Sequence, residues 1–212
     1  MADFETIANS VIAGDIEEVT TLTQEAVDEG TKPLEIINSG LMVGMNVVGE
    51  RFKAGEVYIP EVLMSARAMS EAMEIVKPLL IGDEMRAKGK VMLGTVKGDL
   101  HDIGKKLVGM IIEGAGYEIE DIGVDVSAEQ FAEAVAEKKP DVLGMSALLT
   151  TTMLAMKDTI ETLKEKGLRE TVKVVVGGAP VTPDYSREIG ADGWGSDAVT
   201  GKDLVASLIE NT

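Results

Sequence analysis

The stretch Lys90-Val-Met-Leu-Gly-Thr-Val-Lys-Gly-Asp-Leu-His-Asp-Ile-Gly104 decides how the chain reads. It begins with a short apolar run suited to a strand, passes through a polar turn of Gly, Asp and His, and enters a segment whose apolar residues recur at helical spacing. The alternation repeats downstream. Apolar runs at Val91–Val96, Tyr117–Val124, Val142–Ala147 and Val172–Val176 interleave with helical patterns at Ile103–Glu113, Ala128–Lys138, Met153–Lys166 and Leu204–Ile209, and a weaker run lies near Asp192–Ser196. Strands alternating with helices predict βαβ units and a parallel sheet. Ligands of such sheets bind beyond the carboxyl ends of the strands.

The expected class is therefore α/β, a flavodoxin-like, doubly wound parallel sheet of five strands over residues 90–212. Residues 1–81 show helical periods and no strand. Asp15-Ile-Glu-Glu18 has the form of a capping box, and Gly30 closes the helix it opens. Further helices are expected over residues 3–13, from Leu34 to about Lys53, and from Pro60 onward. Together they make a small four-helix bundle. Gly82-Asp-Glu-Met-Arg-Ala-Lys-Gly89 is polar and bounded by Gly, so residues 82–89 are expected to link the two domains.

Composition narrows the chemistry. The 212 residues carry a formal charge of −17, which opposes binding to nucleic acid or to an anionic membrane face. With no Cys there is no disulfide, thiolate nucleophile or iron–sulfur ligation, and with one His no multi-histidine metal site. The N-terminal segment lacks the basic and apolar regions of a signal peptide, so a cytoplasmic location is expected.

Three loops should emerge at the ligand-binding edge. The first, Gly98-Asp99-Leu100-His101-Asp102-Ile103-Gly104, holds the single His. One His cannot hold a metal ion alone, but it can serve as axial ligand to a metal already held by a macrocycle. Asp99 is placed to hydrogen-bond the other ring nitrogen, fixing the tautomer. The second loop offers Ser146, Leu148, Thr150 and Thr152. The third, Gly177-Gly178-Ala179, lets backbone approach a ligand closely, and Gly195 ends the weak fifth run at the same edge. Each loop alone has an ordinary structural reading as a cap or a turn. A P-loop fails on this sequence, because Asp99 stands where its first Gly belongs and Lys106 where its Ser or Thr belongs.

Together, Asp99-x-His101-x-x-Gly104, then 41 residues, Ser146-x-Leu148, then 28 residues, and Gly177-Gly178 resemble the cobalamin-binding signature of methionine synthase and its relatives. The resemblance implies that His101 displaces the cofactor's own base and ligates cobalt from below, that Asp99 and a hydroxyl at Thr152 form a proton relay behind it, and that the Ser-x-Leu and Gly-Gly loops line a channel for the displaced nucleotide tail. Valine at Gly178 is expected to block that channel while the fold persists. Gly44-Met-Asn-Val-Val-Gly-Glu-Arg-Phe-Lys-Ala-Gly-Glu-Val-Tyr-Ile-Pro-Glu-Val62 is similar to the family's helical cap. This implies that Phe52, Ile59, Val62 and Met45 shield the upper face of the corrin, with Asn38 where methionine synthase has a Glu.

A cap joined to one cobalamin-binding domain resembles the corrinoid proteins of three-component methyltransferase systems. The implied activity is methyl carriage: cobalt(I) takes a methyl from a substrate-specific methyltransferase, and methyl-cobalt(III) gives it to a second one with a folate or thiol acceptor. A reductive activator protein is the further implied partner. A cobalamin-dependent regulator and the small subunit of a carbon-skeleton mutase are the alternatives. The acidic charge and the absence of a basic segment disfavour the first, and the cap disfavours the second.

Overall fold

In the computed structural model, residues 3–79 and 87–210 are described. The chain divides into two compact units, residues 1–87 with 113–116, and residues 88–112 with 117–212. Most of the segment expected as a linker lies outside the described residues.

The first unit is helical. Helices α1 (Phe4–Ala13), α2 (Ile16–Asp28), α3 (Pro33–Ile36), α4 (Met42–Lys53) and α5 (Ile59–Val76) build it. Asp15 caps α2 by accepting from the Glu18 N–H at 2.9 Å, but the Glu18 carboxylate takes the Ser10 hydroxyl at 2.9 Å and does not close a capping box. The single helix expected from Leu34 to Lys53 is interrupted. Between α3 and α4, residues Ile37–Leu41 form a π turn, closed by the Met42 N–H on the Ile37 carbonyl. Gly40 and Gly44 follow from the packing of this rod on α1: a Cβ at Gly40 would lie 2.8 Å from Ile7 Cγ2, and one at Gly44 2.5 Å from the Ala8 carbonyl oxygen.

The second unit is a five-stranded parallel sheet in the order β2-β1-β3-β4-β5. Its elements are β1 (Lys90–Thr95), α6 (Ile103–Gly114), β2 (Glu118–Asp121), α7 (Ala128–Lys138), β3 (Val142–Ser146), α8 (Leu154–Glu165), β4 (Lys173–Gly177), α9 (Pro183–Ile189), β5 (Gly193–Gly195) and α10 (Ala198–Glu210). Phe131 and Val135 of α7 and Met156, Ile160 and Leu163 of α8 form one core with Met92, Leu143, Val174 and Val176 from one sheet face. Gly109 of α6 meets Leu93, and Leu204 of α10 meets Gly193, on the opposite face. Burial on both faces accounts for the continuous apolar runs of β1, β3 and β4, while the edge strand β2, Glu-Ile-Glu-Asp, is partly exposed.

In the second unit two helices differ from the sequence expectation. Helix α9 stands where no helix is expected, with the Thr182 side chain and Pro183 at its start and Gly190 in the left-handed region at its end. Helix α10 begins at Ala198, six residues before the expected apolar pattern, because Asp197 accepts from the Val199 and Thr200 N–H groups at 2.9 and 2.8 Å.

The tightest fit in the sheet is at Gly94, where a Cβ would lie 2.5 Å from Phe131 Cε1. Gly94→Ala should cost about 1–3 kcal/mol by overpacking. In a Phe131→Leu background the same change should cost measurably less, because the ring edge is gone. Urea denaturation followed through Trp194, the only Trp, measures both.

Candidate functional site

At the end of β1 the backbone turns through Gly98, whose φ of +81° favours glycine. The turn directs the Asp99 carboxylate inward, where none of it is exposed. Each of its oxygens has a separate task. Oδ1 accepts from the His101 main-chain N–H at 3.1 Å and lies 2.6 Å from His101 Nδ1. Oδ2 accepts from the Leu148 and Leu149 N–H groups at 2.8 and 3.3 Å and from the Thr152 hydroxyl at 2.7 Å. Burial by itself would raise the carboxyl's pKa. The donors at Leu148, Thr152 and His101 outweigh it and hold the group well below the usual carboxylate range. An ionised carboxylate has no proton to give, so Nδ1 carries the proton of this hydrogen bond and Nε2 is the ring nitrogen left at the outer edge. The His101 side chain is 51% exposed, which leaves that edge accessible. The Thr95 hydroxyl steadies the turn by donating to the His101 carbonyl at 2.9 Å.

Strand order places this pair. β1 and β3 are central neighbours whose chains leave in opposite directions, and the crevice at such a switch point is where these sheets bind ligands. Register then aligns Thr95, Ser146, Gly177 and Gly195 in one row across the carboxyl ends of β1, β3, β4 and β5. A Cβ at Gly177 would lie 3.1 Å from the Gly195 carbonyl oxygen. Gly178 has φ +119°, and a Cβ there would lie 1.9 Å from the Ala147 carbonyl oxygen. Valine at Gly178 must therefore displace the local backbone of the Ala147 and Gly178 loops, so the substitution reshapes the expected channel as well as filling it. Thr150 and Ala179 are exposed on their loops. Asp102 pairs with Lys106 at 2.5 Å, and the Lys106 hydrogen bond is the main cause of its lowered pKa.

These residues suit a large, flat group that brings its own metal. Among the described residues, all of the exposed large apolar side chains of the second unit lie in segments that follow the carboxyl ends of β1, β2 and β3: Leu100, Ile103, Val124, Leu148, Leu149 and Leu154. Gly104, one turn from His101, faces open space. Imidazole nitrogen, apolar surface and glycine clearance are what a tetrapyrrole-like ring with a lower axial ligand requires.

Of the residues expected above the ring, Val62 is fully buried and Met45 nearly so, at the exposure of core side chains. Phe52 is half-buried, Ile59 is 48% exposed on the first turn of α5, and Asn38 is exposed on the π turn.

Comparison with known proteins agrees with this geometry. A family described as B12 binding domain matches residues 89–201, and another of the same description matches residues 3–77. The chain belongs to the B12-binding family. Its cofactor is accordingly a corrinoid. This B12-binding protein is 42% identical to a corrinoid protein of Desulfitobacterium hafniense, over 99% of this chain and 98% of that one. It is 39% identical to monomethylamine corrinoid protein 2 of Methanosarcina acetivorans, over 98% and 97% of the two chains. Among solved structures it is similar to a chain of the methanol:cobalamin methyltransferase complex of Methanosarcina barkeri, with TM-score 0.86 and 35% identity over 98% of this chain and 79% of that chain.

Sequence reasoning missed Thr95, Lys105 and Asp125 of this B12-binding protein. Thr95 is an ordinary strand residue by type, and the other two act through contacts distant in sequence.

The buried carboxylate links stability to acid. The Asp99 pKa is lower in the folded chain than its ordinary value of 3.8. Its contribution is therefore complete above that value and is lost as pH falls through the folded one. Asp99→Asn should cost about 1.5–3 kcal/mol at neutral pH, because an amide cannot accept from all these donors. The gap between variant and wild type should narrow below pH 3.8, as denaturant titrations at stepped pH will show.

Proposed function

We propose that this chain carries methyl groups on a corrinoid whose cobalt would be held by Nε2 of His101. The observation that carries this reading is the His101–Asp99–Thr152 array at the switch point of the sheet. When bound, the cobalt supplies the chemistry of accepting and releasing a methyl group.

The side chains set the conditions for that chemistry. Asp99 holds the proton on Nδ1, which fixes the tautomer and aims Nε2 outward. The Asp99 carboxylate stays 2.6 Å from Nδ1 and would hold the ring in one orientation toward the metal. Thr152 and the two amides of the second loop keep Asp99 charged. Leu100, Ile103, Leu148 and Leu149, all exposed, would exclude water around the ring. The row Ser146, Gly177, Gly195 and the exposed Ala179 and Thr150 would receive the nucleotide tail, and Phe52, Ile59 and Asn38 of the helical unit are the cap residues with surface to offer the upper face.

A corrinoid carrier acts between partners. The names of the relatives support methylamines or methanol as the class of methyl donor. The donor is bound by a substrate-specific methyltransferase. A second methyltransferase with a folate or thiol acceptor, and a reductive activator that restores the low-valent cobalt, complete the proposed system.

The test is reconstitution. Loaded, reduced protein mixed with a methylamine- or methanol-specific methyltransferase and its substrate should show the corrin absorption change that accompanies methylation, and the label of an isotopic methyl group should reach a thiol acceptor only when a second methyltransferase is added. Cobalamin that stays bound, followed by quenching of Trp194, but remains unmethylated with every such donor would contradict the proposal.

A further inference from the structure

We infer that Asp125 is a positioning residue for His101. This rests on the reading of His101 as the axial ligand. The array already described holds the Asp99 side chain from the β3 loop, but the peptide that carries Asp99 is held from the other flank. The Asp125 Oδ1 accepts from the Gly98 N–H at 2.7 Å, and the Asp125 N–H donates to the Asp99 carbonyl at 3.0 Å. One residue of the β2 loop thus grips both ends of the Gly98–Asp99 unit. Gly98, at φ +81°, is the most freely rotating residue of that turn. A rotation there would swing the Asp99 carboxylate and, through it, the imidazole.

The grip needs an uncommon backbone. Asp125 has φ +54°, a left-handed conformation that non-glycine residues rarely adopt and that Asn and Asp tolerate best. The β2 loop is itself braced. Lys105, 4% exposed, bonds Asp121 and donates to the Gly123 carbonyl at 3.0 Å, and that carbonyl also accepts from the Thr95 N–H at 3.0 Å. A buried cation in the first turn of α6 opposes the helix dipole, and the turn it stabilises is the one that presents Asp125.

Two substitutions separate the roles. Asp125→Asn keeps both an oxygen acceptor and tolerance of positive φ. Asp125→Gly keeps the backbone and loses the acceptor. In the cofactor-free protein labelled with nitrogen-15 histidine, the Nδ1–H held on Asp99 by the single imidazole gives the ring N–H correlation to follow. We expect wild type and Asp125→Asn to show a downfield, slowly exchanging proton, and Asp125→Gly to exchange it about tenfold faster with the thermal midpoint little changed. Cobalamin affinity, read by Trp194 quenching, should fall about tenfold in Asp125→Gly alone, at the low end for loss of a group supporting a metal ligand. An Asp125→Gly variant that unfolds, or whose Nδ1 proton matches wild type, would overturn the inference. A faster proton with unchanged cobalamin affinity would uphold the positioning of the ring and count instead against its role as ligand.

Discussion

The structure of the site depends on one buried carboxylate. Asp99 joins two loops that are separated by some fifty residues of sequence, because each oxygen serves a different one. An unpaired charge at this depth would be heavily penalised, and an uncharged acid would need a proton that the surrounding donors leave no room for. The carboxylate is therefore both the anchor of the β1 and β3 loops and the group that decides which imidazole nitrogen is protonated. Fold and metal chemistry meet in that one constraint.

The strand order explains why this anchor is available. Only where neighbouring strands send their chains to opposite faces does a crevice open at the sheet edge, and β1 and β3 are that pair. The four-strand row ending at Thr95, Ser146, Gly177 and Gly195 extends the crevice sideways with small residues. The exposed leucines above it would be a liability on a bare surface, since contiguous apolar patches mark binding sites.

Much of this was legible in the sequence. Strands β1, β3 and β4 are visible as apolar runs because both sheet faces are covered there, whereas β2, at the sheet edge, has one apolar residue and is partly exposed. The His101 and Gly-Gly loops stand out because a lone His between two Asp residues and paired glycines are unusual. What escaped did so for physical reasons. Helix α9 offers seven residues and few apolar ones, too short for a period to show. The π turn at Ile37–Leu41 adds one residue to a helical winding without changing composition. Met45 and Val62 share their spacing with core residues, so sequence alone cannot separate cofactor contact from bundle packing. Asp125 acts on residues 26 and 27 positions earlier, and no local pattern encodes such a contact.

His101, not the cofactor's own base, is the proposed ligand to cobalt. The chain has a single His, so isotopic labelling tests this. The ligating nitrogen lies on the axis of the unpaired electron of cobalt(II) and splits its electron-resonance lines. Protein grown on nitrogen-15 histidine and loaded with unlabelled cobalamin should give doublets, from a nucleus of spin one-half, where unlabelled protein gives triplets. Triplets that persist in the labelled protein would show that the cofactor has kept its own base, and would contradict the account.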